Sequence, residues 1–381
     1  MIEKKNIVLT DKKYQQLFRA AEIRVDENHL NRMLVPSGYD VDCLNHKKVE
    51  YFSKYGFKVY GMYSDIYEKY NGIASEKYIP ASLYYYYVMP FLCNLNFMEA
   101  YVDKNMYSIL FPEVKQPQTI IKCINGRYFD DDMHELCYAD CVTELKRYHE
   151  FIVKPSIETG GGEGVRLVDI ETDNVETLIK EQYSHNWIAQ IPVTNSTEMA
   201  RFNGSSVNTM RIYTYRPVGT TKHIVLGSTL RFGGKGATTD NACSGGGFAA
   251  IDIDGNISNN VRRFADFRQY TTADFGFLPQ KLSMYGKATE LCLSLHSRLP
   301  YFDLIGWDIC IDEKDELVLL EFNKAPDCEH IQIAHGPMFG DYTDDLMEAI
   351  KEHKTAYTVV AERSFSDEKQ YFERYFDFKR L

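Results

Sequence analysis

Asp308, Glu321 thirteen residues further on, and Asn323 two after that are the residues whose types and spacing most clearly suit chemistry in this sequence. Their surroundings, Trp307-Asp308-Ile309-Cys310-Ile311 and Glu321-Phe322-Asn323, alternate as buried strands do. Folded as an antiparallel hairpin, they would lay Asp308 beside Glu321, and the i, i+2 spacing turns Glu321 and Asn323 to one face. Three oxygen donors would converge there. Such a set suits Mg2+, which takes hard oxygen ligands and keeps waters and substrate phosphates in its remaining octahedral positions. An acidic surface hairpin would have the same spacing. A second candidate lies upstream, where the apolar segment Phe151-Ile152-Val153-Lys154-Pro155 leads into Gly160-Gly161-Gly162-Glu163-Gly164 and then a further strand over 166–170. Gly161, Gly162 and Gly164 would let backbone N–H groups approach phosphates, and Lys154 would add a point charge. No G-K-[ST] follows, so the loop is not a Walker A motif. A flexible hairpin turn is the plain alternative.

Positioning these residues requires several elements. Residues 1–100 read as a mostly helical lobe, with helical patterns at 46–55 and 64–70 and turn marks at Gly56, Gly61 and Gly72. The aromatic stretch 84–95, which includes four consecutive tyrosines, reads as a core or interlobe helix. Strands and helices alternate around the glycine flap over 101–192. Over 193–350, strands at 210–215, 223–231, 248–252, 306–311 and 317–322 predict an antiparallel sheet with a helix over 281–299 packed on it. Residues 351–381 read as a charged helical tail.

Composition bounds the function classes. The 381 residues are 44% apolar and 25% charged, as in an ordinary globular protein large enough for two or three lobes. A net charge of −11 opposes binding to nucleic acid or anionic membranes. The 28 tyrosines and 22 phenylalanines are expected mostly at half-buried positions. Nine cysteines show no metal-ligand spacing and read as small buried hydrophobes of a reducing cytosol, with Cys243 the thiol of interest. No apolar segment follows the first residues, and no stretch approaches the roughly eighteen apolar residues of a membrane span. A cytoplasmic location is therefore expected.

Taken in order, Asp103-Lys104-Asn105, Pro117-Gln118-Thr119, Lys154 with its glycine loop, Trp187-Ile188-Ala189-Gln190-Ile191-Pro192, Ser206-Val207-Asn208-Thr209-Met210-Arg211-Ile212, Leu230-Arg231-Phe232-Gly233, the 239–247 stretch and Asp308…Glu321-Phe322-Asn323 resemble the ATP-grasp superfamily. The series is most similar to its sugar-transfer-associated subfamily, over roughly residues 45 to 350. The resemblance implies an α+β protein with the ATP-grasp fold: two α+β lobes gripping ATP, an antiparallel sheet in the C-terminal lobe, and a mostly helical N-terminal lobe before them. It implies ATP and Mg2+ as cofactors. Lys104 and Lys154 would contact phosphates, and the segment with Gln190, Ile191 and Val193 would hold adenine through backbone groups. Gln190 stands where many relatives carry an acid, which leaves adenine to the backbone. Asp308, Glu321 and Asn323 would hold the metal.

The implied chemistry is attack of a carboxylate on the γ-phosphate, followed by displacement of phosphate from the acylphosphate by an amine. Arg231 and Arg211 are candidates to grip the carboxylate or the phosphoryl group, since a guanidinium fork suits either oxyanion; a structural ion pair is the other reading of Arg211. Asn241, beside the Gly245–Gly247 turn, would donate to the acylphosphate oxygen unless that segment is only a tight turn. The expected partners are small-molecule carboxylate and amine substrates, sugar-linked ones included. Phosphoryl transfer to a sugar hydroxyl and a non-catalytic nucleotide-binding scaffold are the alternatives.

Overall fold

A two-residue strand, β1 (Ile7–Val8), opens the ordered elements of the computed structural model, which describes residues 7–8, 23–26, 28–30, 33, 50–57, 59, 62–94, 97–157, 164–183, 185–234, 236, 245–265, 267–324, 326–352, 357–364 and 370–376. Helices dominate the described part of residues 1–100: α1 (Met62–Asn71) and three consecutive segments, Ala81–Leu83, Tyr84–Val88 and Met89–Leu92, the middle one a π-helix. The four-tyrosine run is therefore helical, with Tyr84 fully buried.

The first sheet contains β2 (Thr119–Ile124), β3 (Arg127–Phe129), β4 (Glu135–Leu136), β5 (Glu150–Pro155), β6 (Arg166–Asp169) and β7 (Trp187–Gln190) in the order β4-β3-β2-β7-β5-β6. Helix α2 (Tyr138–Leu145) covers it, and Cys141, Val142 and Leu145 join Phe151, Val153 and Trp187 in one core. The glycine flap joins β5 to β6. Of its residues Gly164 is described, while Gly161 and Gly162 lie outside the described residues.

The second sheet contains β8 (Thr209–Tyr215), β9 (Ile224–Phe232), β10 (Gly247–Ile251), β11 (Ile257–Arg263), β12 (Gln269–Thr271), β13 (Leu304–Ile311) and β14 (Leu317–Asn323), ordered β12-β11-β10-β9-β8-β13-β14. Every residue of β8 and β13 is buried. This explains their near-continuous apolar and aromatic sequences. On one face α3 (Tyr285–His296) packs against β8, β9 and β13. Trp307 is buried there, its indole N–H donating to Thr214 Oγ1 at 2.7 Å, with His296 Nδ1 at 2.7 Å from the same oxygen. Burial of a side chain of this size contributes about 1.5–3 kcal/mol, and only because its polar atom is satisfied.

The other face is the one that matters for function. Helix α4 (Glu329–His335) packs on β9 and β10 there, and α1 packs on α4. The contact is fixed by Gln332, whose side chain accepts from the Ile79 amide at 2.7 Å and donates to the Ile79 carbonyl at 3.1 Å. Tyr84 O–H also donates to the Pro326 carbonyl. The helical N-terminal part is thereby docked against the segment that follows β14.

Helix α5 (Thr343–Glu352) ends the part of the tail that follows the helical expectation. Beyond it the expectation fails: β15 (Tyr357–Ser364) and β16 (Gln370–Phe376) form a three-stranded antiparallel sheet with β1 in the order β1-β15-β16. The β-branched run Thr358-Val359-Val360 and the aromatics Tyr371, Phe372, Tyr375 and Phe376 favour a pleated strand more than the interspersed charges favour a helix. Among the described residues, no helix is long and apolar enough to cross a membrane, and seven cysteines are free, all but Cys137 buried.

Candidate active site

Cross-strand register assembles the site. Asp308 on β13 lies opposite Glu321 on β14 and, on its other side, opposite Arg211 on β8, which in turn lies opposite Thr229 on β9. Directly opposed residues share a face, so Arg211, Asp308 and Glu321 form one row across the sheet. Two residues along β8, Thr209 faces Arg231 of β9, which faces Phe248 of β10. Gly306 and Asn323 pair at the near end of the hairpin. Leu320 is an extra residue in β14, since Asp308 pairs with Glu321 while Ile309 pairs with Leu319. A bulge of this kind bends a strand and re-aims the neighbouring side chain, here Glu321.

Two carboxylates directly opposed on a sheet repel unless cations are supplied. Here there are four. Arg211 holds Asp308 by a fork, Nε to Oδ1 at 2.5 Å and Nη2 to Oδ2 at 2.8 Å, with both side chains buried. Arg231 Nη1 lies 3.8 Å from Asp308 Oδ1, and its Nε has no hydrogen-bond partner among the described residues. Lys104 Nζ lies 3.2 Å from Glu321 Oε2. Its backbone N–H donates to the Ser156 carbonyl at 3.1 Å, which ties Lys104 to the end of β5, the strand that carries Lys154. Burial, and then the Lys104 charge, hold the Lys154 ammonium down at about 8, with Glu321 opposing the shift. Burial would raise the Glu321 carboxyl, but Lys104, Lys154 and Arg211 outweigh it and hold it at about 2. For Asp308 the balance goes the other way: burial raises its pKa despite Arg211 and Arg231.

The row of opposed residues therefore brings together most of the residues read from the sequence: Asp308, Glu321, Asn323, Arg211 and Arg231, with Lys104 at its edge and Lys154 sensing both Lys104 and Glu321. Arg211 makes an ion pair with Asp308. Gln190 is buried and committed elsewhere, its Nε2 donating to the Pro117 carbonyl at 3.2 Å. The Ile191 amide donates to the Gln118 carbonyl at 2.8 Å, and Val193 sits in the partly exposed segment after β7. Gly164 adopts φ +72, and a Cβ there would come within 2.9 Å of Pro155, so glycine is required where the flap rejoins the sheet. Asn241 and Cys243 lie outside the described residues.

Sequence reading missed two residues. Asp327 and His330 stand just beyond Asn323, with His330 Nδ1 2.7 Å from Asp327 Oδ1. Asp327 also lies 3.6 Å from Arg211 Nη1 and 3.3 Å from the Tyr213 hydroxyl. Gly306 permits this approach: a Cβ there would meet Pro326 Cβ at 2.7 Å and Arg211 Cδ at 3.3 Å. The available signal was Asp-x-x-His four residues after the asparagine of Glu-x-Asn, which resembles an ordinary helix start.

The donor set fits a hard divalent cation that is shared with phosphates. Among the described residues no cluster of three His, Cys, Asp or Glu side chains forms a metal cage of protein ligands alone. The site offers two carboxylates and a carboxamide, with Asn323 Nδ2 donating to Asp308 Oδ2 at 3.3 Å. Each Asp308 oxygen retains lone-pair capacity beyond the arginine fork.

A family model described as sugar-transfer associated ATP-grasp matches residues 95–343. Among solved structures, the chain is similar to the ATP-grasp ligase PsnB complexed with minimal precursor, Mg and ADP, at 12% identity over 68% of this chain and 62% of that one, with a TM-score of 0.39. It is similar to a Campylobacter jejuni biotin carboxylase in a β,γ-ATP complex at 10% identity, covering 70% of this chain and 52% of that one, TM-score 0.39. D-cycloserine synthetase DcsG is matched at 12% identity over 65% of this chain and 70% of that one, TM-score 0.38. The chain thus spans 62% of the length of PsnB. No curated protein matches the sequence.

Proposed function

The chain belongs to the sugar-transfer associated ATP-grasp family, and from that premise we propose that it is an ATP- and Mg2+-dependent carboxylate–amine ligase acting through an acylphosphate. The observation that carries this reading is the opposition of Asp308 and Glu321 beneath Lys104, Lys154, Arg211 and Arg231. A triphosphate brings charge that this excess of cations would neutralise, and phosphoryl transfer needs little beyond positioning and electrostatic stabilisation. Asp308, Glu321 and Asn323 would hold Mg2+, which supplies charge neutralisation on the phosphate oxygens when bound.

The remaining roles fall to the chain itself. Lys104 and Lys154 bind the phosphates of ATP. Arg231, whose Nε has no hydrogen-bond partner among the described residues and whose guanidinium stacks on Phe264 with its carbon 5.2 Å from the ring centroid, grips the substrate carboxylate. Arg211 holds Asp308 in place and opposes the rise in its pKa that burial causes. The carboxylate oxygen attacks the γ-phosphorus and ADP leaves; an amine nitrogen then attacks the acyl carbon and phosphate leaves. A uronic acid or another sugar-linked carboxylate is the proposed donor, a choice that rests on the family's association with sugar transfer.

Supplying libraries of carboxylates and amines with ATP and Mg2+ tests this directly. ADP and free phosphate are expected only when a carboxylate and an amine are both present. Phosphate retained on an acceptor would make the protein a phosphotransferase, and absence of nucleotide binding would leave a scaffold.

Lys154 gives the reading a pH signature. Its pKa lies near 8 in the free protein, and phosphates alongside would raise it toward the usual lysine value. Nucleotide binding is therefore strongest below about pH 8 and weakens by up to about tenfold per pH unit above it, until the bound-state value is passed. Calorimetry of a non-hydrolysable ATP analogue in buffers of differing ionisation enthalpy should detect uptake of close to one proton at about pH 9 and almost none at about pH 6.5. Zero uptake at both would remove Lys154 from the phosphate site.

A further inference from the structure

We infer that Asp327 and His330 form an acid–base dyad for the acceptor, with His330 taking a proton from the attacking nitrogen and Asp327 holding the imidazole in place. This rests on the ligase reading and assigns the second half of its reaction. The imidazole Nδ1 lies 2.7 Å from Asp327 Oδ1, and the His330 backbone N–H donates to that same oxygen at 3.0 Å. A carboxylate on Nδ1 fixes the neutral tautomer whose Nε2 carries the free lone pair, the arrangement by which a histidine serves as a base.

Placement supports the assignment. Asp327 and Asp308 both contact Arg211, so the dyad sits across one guanidinium from the proposed metal ligands. Phe264 is shared: its ring centroid lies 5.2 Å from that of His330 and 5.2 Å from the Arg231 guanidinium carbon. The residue assigned to grip the carboxylate and the imidazole assigned to activate the nucleophile thus pack against one ring. Phe248 and Phe267 complete the wall, at centroid distances of 4.7 and 5.8 Å from His330. Among the described residues, the charged and titratable groups around the dyad include Arg211 and Tyr213 of β8, Arg231 of β9, Tyr67 of α1, Tyr84 and Cys328. Arg262 of β11 is turned away to the Tyr70 carbonyl and Gln269. Helix capping alone needs Asp327 but needs no imidazole, 19% exposed, on the same ring that carries Arg231.

The step balances. The lone pair of R–NH2 attacks the acyl carbon, the carbon–oxygen bond to phosphate breaks, and phosphate departs with that electron pair. The surplus N–H proton passes to His330 Nε2, giving an imidazolium that Asp327 stabilises and that is later discharged to phosphate or water.

Hydroxylamine, which is largely unprotonated at neutral pH and traps acylphosphates without a base, separates this step from the first. With ATP, Mg2+ and a panel of uronic, amino and hydroxy acids, wild-type protein is expected to form hydroxamate with hydroxylamine and amide with glycine or another amino acid. His330→Gln is expected to keep hydroxamate formation within about threefold of wild type while losing about 10²-fold or more of amide formation. Asp327→Asn is expected to follow with a smaller loss, and both variants should flatten the rising limb of the pH–rate profile for the amine. Unchanged binding of a non-hydrolysable ATP analogue verifies that each variant is folded. Equal losses with both acceptors, or an unchanged pH profile, would overturn the dyad. Wild-type protein that makes no hydroxamate with any acid of the panel would instead overturn the ligase reading, and the dyad with it.

Discussion

Replacing Glu321 with glutamine is expected to lower carboxylate-dependent ADP formation about 10³-fold while leaving the protein folded. The change removes one negative charge from the position where a metal-bound triphosphate would be held, and a carboxamide oxygen binds Mg2+ far less strongly than a carboxylate. The fold survives because the charge left behind can adapt. Lys154 already titrates near 8 through burial and Lys104, and Glu321 is the influence that keeps its pKa from falling further. Without Glu321 the pKa of the buried ammonium falls further, so the group gives up its proton more readily instead of persisting as an uncompensated charge. A steady-state assay beside a thermal melt checks both halves. Turnover within about threefold of wild type would remove Glu321 from the metal site.

Arg211 should behave in the opposite way, as a residue whose loss is felt first in stability. Its fork is the main counter-charge of buried Asp308, and it also approaches Asp327. For Asp327, burial would raise the carboxyl, but His330 and Arg211 outweigh it and hold it well below the usual range. Arg211→Met therefore strands two carboxylates, one of them fully desolvated. Removing one partner of such a buried pair costs about 3–5 kcal/mol. Urea unfolding should show a loss of that size, and Arg211→Met combined with Asp308→Leu should recover much of it, since a well-packed apolar pair can replace a buried ion pair. A single-variant loss below about 1 kcal/mol would mean that the fork contributes no more than a surface pair.

The hairpin of β13 and β14 was legible because Asp308, Glu321 and Asn323 are polar residues set within two runs of otherwise apolar strand-forming sequence. The strand order was not legible. Arg211 and Asp308 are 97 positions apart, and nothing local to either names the other as its neighbour. The Leu320 bulge was equally invisible, since an added residue leaves composition and local hydrophobicity unchanged. Asp327 and His330 escaped notice because their sequence also suits a helix start, and only the packing of α4 on β9 and β10 turns them toward Arg211. In the tail, charged residues were read as a helical surface although Thr358-Val359-Val360 and the aromatics at 371–376 carried the stronger strand preference. The helical N-terminal part was read correctly in kind at 64–70, where Ile66, Tyr67 and Tyr70 present one buried face at helical spacing.

One measurement bears most directly on the proposed metal–nucleotide site: calorimetric titration of a non-hydrolysable ATP analogue into wild-type protein and Glu321→Gln, each with Mg2+ and with a chelator. Mg2+ is expected to tighten binding to wild type by at least about tenfold, or about 1.4 kcal/mol, and to make little difference for Glu321→Gln. Equal affinity with and without Mg2+ in wild-type protein would contradict the account.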